Sequence, residues 1–206
     1  MTRTPYRRII QRMNARSIAR AAALAGGALA VGAWSSAGRG RDLDELLFHA
    51  ANRDRGPVTD RLFGGVTELG SIWASVGAAA VLAGNGRRRV AARGMAAAGV
   101  AWLGGQALKR VFDRPRPSDA DPDGTFRRIT RPNGSSWPSS HPAVLLAFTT
   151  VAADELNAGG PARLGLDALA GTVGASRTYL GVHYPADVVG GLLLGRAVAA
   201  LFDRRR

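Results

Sequence analysis

The sequence predicts an all-α protein, a bundle of six membrane-spanning helices. Three observations carry this reading. Apolar runs rich in Ala and Gly recur along the 206 residues, with no alternating strand pattern and no internal repeat. Clusters of arginine stand at the ends of those runs, where the positive-inside bias of membrane proteins puts them. The segments between the runs have the composition of turns. The formal net charge of +13 by itself suggests nucleic-acid binding, which requires a basic face in polar surroundings. Here "RRIIQRMNARSIAR", "NGRRRVAAR" and "FDRRR" flank apolar runs instead, so a bilayer is the expected partner and nucleic acid is not.

The elements follow in order. Residues 1–19 form a basic segment expected in the cytoplasm, and residues 20–206 one membrane domain. The first apolar run, 20–38, resembles a signal peptide but is read as a retained span, because further apolar segments follow it. The run 62–84 is the clearest span, with 23 residues and one charge, Glu68. The runs 91–108, 141–155, 163–180 and 185–202 are shorter than the roughly 20 residues a span needs. Their Gly and Ala content lets membrane helices approach closely. With the N-terminus in the cytoplasm, the Arg87–Arg93 region, the 156–162 turn and the C-terminal arginines fall on the same side. Segments 39–61, 109–140 and 181–184 fall outside. Segment 109–140 is arginine-rich against the rule, so its arginines need another reason. Segment 41–55 reads as an amphipathic helix on the outer surface, with Leu43, Leu46, Leu47 and Ala50 on one face and His49 an ordinary surface residue. Segment 118–136 reads as a loop. The absence of cysteine excludes disulfides, thiolate metal sites and thiol nucleophiles.

The chemistry-bearing residues lie at the predicted outer ends. His141 precedes Pro142, and His183 stands two residues before Pro185, so each is expected at a helix start. Helix N-termini suit a phosphate, and Ser139 or Ser140 is the expected N-cap of the first of these helices. Asp187 follows His183 by one helical turn. It is placed to accept one imidazole proton and leave the other nitrogen lone pair as a nucleophile. A polar pair capping a helix is the alternative. Lys109, the single lysine among 28 basic residues, ends its span near Arg116 and Arg177. A site that clamps a phosphoryl group gives a reason to keep lysine's compact charge beside arginine's planar fork. Chance survival of one lysine is the alternative.

Three motifs then carry a resemblance: K-x6-R-P through Lys109, Arg116 and Pro117; "PSSH" at 138–141; and S-R-x5-H-x3-D through Ser176, Arg177, His183 and Asp187. Together they resemble the type 2 phosphatidic acid phosphatase family, which includes vanadium haloperoxidases and bacterial acid phosphatases. The motifs span 109–187, and the six-span layout extends the likeness over most of the chain. Ser140 departs from the family's glycine at that position, keeping the N–H but adding a side chain. The family spacing selects Arg116 over Arg114.

The resemblance implies a metal-free, cofactor-free lipid phosphatase of the cell membrane with an extracytoplasmic site. His183 would attack phosphorus, and Asp187 would orient it. His141 would protonate the leaving oxygen and then activate water. Lys109, Arg116, Arg177, the Ser139 hydroxyl and the Ser140 N–H would hold the phosphoryl oxygens. The expected substrates are a polyprenyl phosphate or diphosphate, phosphatidate, phosphatidylglycerol phosphate or a phosphorylated polyprenyl-linked sugar. Arg- and Ala/Gly-rich composition favours a bacterial envelope lipid. Arg127, Arg128 and Arg131 suggest a lid in the outer loop, with a mobile solvated loop as the alternative. Two other function classes stay open at this point: a vanadate-using haloperoxidase, and a non-catalytic binder of anionic lipid. The binder has no use for His141, His183 and Asp187 at their spacing.

Overall fold

In a computed structural model, residues 15–203 are described. Most of the basic segment 1–19 and the final arginines 204–206, both used for the expected topology, lie outside the described residues. Every regular element among the described residues is helical: α1 (Ala15–Trp34), α2 (Gly38–Ala51), α3 (Pro57–Glu68), α4 (Ile72–Gly84), α5 (Arg88–Phe112), α6 (Pro117–Ala120), α7 (Ser140–Glu155), α8 (Gly160–Tyr179) and α9 (Pro185–Leu201).

Helix α7 is the axis of the bundle. Its 16 residues are buried almost all round, from Pro142 to Thr149 and from Val151 to Ala153. Val144 and Phe148 meet α4 and α5 through Ala79, Val90, Ala91 and Ala98. Ala143, Ala147 and Val151 meet Ala97 and Ala101 of α5 and Leu194 and Val198 of α9. Leu145 and Leu146 meet Ala170 and Val173 of α8. Helix α1 packs on α9. Small residues make this closeness possible. A Cβ on Gly195 would sit 2.6 Å from the Ala143 carbonyl oxygen, and one on Gly191 2.2 Å from that of Ser139.

The fold differs from the sequence reading at two places, the run 62–84 and the loop 118–136. The run 62–84 is not one straight helix. It breaks at Leu69–Ser71, and α3 and α4 meet at 60°. Tight i→i+3 bonds, Gly70 N–H to Thr67 O and Ser71 N–H to Glu68 O, end α3. The Ser71 hydroxyl then caps α4 by accepting from the Ala74 N–H. Among the described residues α1 alone is long and apolar enough to cross a membrane unaided, and the bent α3–α4 pair passes the same test together. Helix α2 forms as expected, with the leucine face outward, as the amphipathic surface-helix reading has it. Asp44 and Phe48 are buried, while Leu43, Leu46 and Leu47 are exposed. His141 and His183 both stand at helix starts as expected, His141 in the first turn of α7 behind N-cap Ser139 and His183 just before α9, which starts at Pro185 behind N-cap Tyr184. Finally, the outer loop is tied down rather than free. Asn52 Nδ2 donates to the carbonyls of Phe126 and Tyr179, and the Phe126 N–H donates back to Asn52 Oδ1. The Arg128 guanidinium bonds the carbonyls of Tyr179 and Arg53 and pairs with Asp60.

Candidate active site

The starts of α7 and α9 and the ends of α5 and α8 meet at one end of the bundle around a cavity of about 250 Å³. Its walls include Lys109, Arg116, Ser140, His141, Arg177 and His183. Six of the residues expected from sequence are thus brought together. Ser139 and Asp187 stand directly behind that wall.

Local backbone logic aims each group. Gly181, at φ +80°, ends α8 in the left-handed conformation that glycine adopts without strain. The Val182 N–H then reaches back to the Arg177 carbonyl. This turn puts Arg177 and His183 at the same level. Pro185 at the start of α9 fixes the chain so that Asp187, one turn on, faces back to His183, with Oδ2 3.4 Å from Nδ1. Asp187 Oδ2 also accepts from the Tyr184 N–H at 2.8 Å and from the Ser136 hydroxyl. His183 Nε2 lies 3.4 Å from Arg116 Nη1.

The cations are held by neutral oxygens. Lys109 Nζ donates to the Ser135 carbonyl at 2.8 Å. Arg116 donates to the carbonyls of Val182, Gly134, Asn133 and Ser135. Arg177 donates to the Thr67 hydroxyl at 3.1 Å. Buried polar atoms without a protein hydrogen-bond partner gather here: the hydroxyls of Ser139 and Ser140 and Nε of Arg177. Burial lowers the Arg116 pKa to about 10. His183 is pushed well below the usual histidine range by burial first, against the hydrogen bond to Asp187, and further by Lys109 and Arg116. The imidazole is therefore neutral at physiological pH and keeps a free lone pair. Two guanidinium groups, the Lys109 amine and donor hydroxyls around a neutral imidazole form a site suited to an oxyanion.

Several contributing residues escape a sequence reading. Gly70 lets the α3–α4 break pack on the site, since a Cβ there would meet His141 Cβ at 2.8 Å. Asp44 and Arg114 sit behind Asp187 in a buried ion-pair chain. The "RPRP" repeat was the available signal for Arg114, whereas Asp44 has none.

A helical bundle with such a receptor at one end is the frame of a phosphoryl-handling enzyme, and comparison with known proteins gives the class. The family model of the PAP2 superfamily matches residues 90–204. The chain is 35% identical over 162 residues to the decaprenylphosphoryl-5-phosphoribose phosphatase of Mycolicibacterium smegmatis, covering 76% of this chain and 84% of that protein. A transmembrane PAP2-type phosphatidylglycerolphosphate phosphatase from Bacillus subtilis shares the fold. Its TM-score is 0.77 at 24% identity, over 89% of this chain and 94% of that one. LpxE from Aquifex aeolicus aligns with a TM-score of 0.68 at 26% identity, over 78% of this chain and 94% of that one. The chain belongs to the PAP2 superfamily. It is a PAP2-type lipid phosphatase, a hydrolase of phosphoric esters.

Proposed function

We propose that the protein removes the terminal phosphate from a lipid phosphate, of the polyprenyl-linked kind, through a phosphohistidine on His183. The observation that carries this is the convergence of His183, His141, Lys109, Arg116 and Arg177 on one cavity with Asp187 behind the nucleophile. In the first half-reaction the neutral His183 Nε2 attacks phosphorus, and Asp187 stabilises the imidazolium that forms. His141 gives its proton to the departing lipid oxygen. In the second half-reaction His141 takes a proton from water, and the hydroxide displaces the histidine to release inorganic phosphate. Lys109, Arg116, Arg177, the Ser139 hydroxyl and the Ser140 N–H hold the phosphoryl oxygens as charge shifts among them. These donors supply the charge neutralisation a divalent ion would otherwise provide, which supports a metal-free reaction.

The reading extends to the membrane. Taking α3 and α4 as one bent span, α1, α3–α4, α5, α7, α8 and α9 make six crossings, one domain from residue 20 onward behind a cytoplasmic basic segment. The site then opens on the extracytoplasmic side, with α2 lying there on its leucine face. The cavity wall mixes Ile72, Trp73, Trp102 and Val144 with Gln106 and Asn133, which suits a substrate with an apolar tail and a polar linker. The M. smegmatis relative, a phosphatase of a polyprenyl-linked phosphosugar by name, supports that class over glycerophospholipids.

The test is phosphate release by the purified full-length protein across polyprenyl phosphates, polyprenyl-linked phosphosugars, phosphatidate and phosphatidylglycerol phosphate, with chelator present. Turnover strongest on a polyprenyl-linked substrate and indifferent to chelator is expected. Loss of activity with chelator overturns the metal-free mechanism, and preference for phosphatidate overturns the substrate class.

A further inference from the structure

The first turn of α9 is held from behind by an unbroken chain of charges. Asp187 Oδ1 accepts from Arg114 Nη1 at 2.7 Å, and Asp44 Oδ2 accepts from Arg114 Nη2 at 2.7 Å. Asp44 Oδ1 closes the chain on the helix itself, accepting from the Ala186 N–H at 2.8 Å. All three side chains are within the fold, at 6% exposure or less. The Arg114 guanidinium also stacks 4.3 Å from the centre of the Tyr184 ring, and Phe48 packs edge-on against that ring. Asp44 and Phe48, one turn apart on α2, thus grip both residues that flank Pro185. Backbone bonds seat Arg114: its N–H donates to the Ser135 hydroxyl, and its carbonyl accepts from the Ser136 N–H.

The charges decide what this chain does. Lys109 and Arg116 act on His183 from two elements, Arg177 and His141 line the same cavity from two more, and among the described residues Asp187 is the one carboxylate on the imidazole. An arginine bonded to Asp187 alone would cancel its charge and weaken its hold on an imidazolium. Asp44 returns that charge: two carboxylates and one guanidinium sum to −1, the value of a lone Asp187. Burial opposes the charge on Arg114, but the two carboxylates outweigh it and hold the guanidinium firmly protonated.

We propose, resting on the phosphohistidine reading above, that Asp44 and Arg114 are positioning residues for catalysis. Arg114 fixes the Asp187 carboxylate toward His183, and Asp44 offsets Arg114 so that Asp187 acts at full charge. The nucleophile of the α8–α9 turn is thereby locked to α2, a helix outside the three family motifs.

The test measures kcat and KM for phosphate release from a lipid phosphate that the wild type turns over, with thermal unfolding of each full-length variant in detergent. Asp44→Asn is expected to lower kcat by about tenfold or more while leaving KM within about threefold, because the phosphate-holding cations are untouched. Arg114→Gln, which leaves two buried carboxylates unbalanced, is expected to lower kcat as well. The double variant D44N/R114Q restores the net charge of −1 and is expected to exceed both single variants in kcat. Single variants with wild-type kcat, or a double variant as poor as the product of the two losses, overturn the proposal. If R114Q fails to fold, Arg114→Lys decides: its retained charge is expected to keep kcat above that of D44N, and the reverse order overturns it. A wild type that releases phosphate from no lipid phosphate is a different result, which removes the phosphatase reading itself.

Discussion

The two ends of the bundle use arginine in opposite ways. At the end formed by the starts of α5 and α8 and the end of α7, four arginines meet carboxylates. Arg89 and Arg93 reach Glu155 at 3.0 and 2.8 Å, Arg163 pairs with Asp154, and Arg196 pairs with Asp167. At the cavity end Lys109, Arg116 and Arg177 donate to carbonyls and a hydroxyl. Asp187 and Asp44 bond Arg114 instead, and among the described residues no carboxylate forms an ion pair with Lys109, Arg116 or Arg177. Balanced pairs serve the fold. Cations buried together without a counter-charge repel one another and cost stability, so their retention points to an anionic partner that arrives from outside.

The largest effect is expected at the nucleophile. In the proposed reaction His183→Ala removes the atom that would bond phosphorus. Phosphate release should fall by more than about a thousandfold, with the protein still folded in detergent and still binding inorganic phosphate through the cations. Stopped turnover with retained phosphate binding separates the two jobs of this end of the bundle. Full turnover by this variant sinks the phosphohistidine.

Next comes Arg177→Ala. Loss of one donor to the transferring phosphoryl group is expected to reduce kcat/KM by about 100-fold or more. Stability should move the other way. Removing one of three clustered cations relieves repulsion, so the melting temperature is expected to hold or rise. A clear fall in melting temperature, with little loss of activity, would place Arg177 among the structural arginines and erase the contrast between the two ends.

How much of this was legible in the sequence differs along the same line. Helices α5, α7, α8 and α9 lie within a few residues of the runs 91–108, 141–155, 163–180 and 185–202, because each is an apolar segment bounded by Pro, Gly or charge. The cavity residues were legible through the three motifs of the family resemblance, and six of them line one cavity. What escaped is tertiary. The run 62–84 reads as one span despite Thr67, Glu68 and Ser71, yet it bends just there, with Gly70 packed against His141 Cβ. On α2 the periodic leucines marked one face of a surface helix, but nothing marked the opposite one. The ion pair with Arg114 and the bond to the Ala186 N–H hold Asp44 inward there. A buried charge whose partners lie 70 and 142 residues away leaves no local pattern. The pinning of loop 118–136 by Asn52 and Arg128 is hidden for the same reason.

The smallest effect is expected at the far end, and it sharpens the comparison most directly. Arg163 bonds Asp154 and the carbonyls of Ala158 and Ala153, closing the turn between α7 and α8. Its pair is partly solvated, with side chains 28% and 25% exposed, so water offsets much of its Coulomb energy. Arg163→Gln should therefore cost about 1 kcal/mol or less of stability, read as a small fall in melting temperature. Phosphate release should stay within about threefold of wild type, because nothing in this pair reaches the cavity. The same change of an arginine to a neutral residue would then cost catalysis at one end of the bundle and a little stability at the other. An activity loss here as large as that of Arg177→Ala would mean that charge is coupled along the whole length of α8, and that the division between the two ends does not hold.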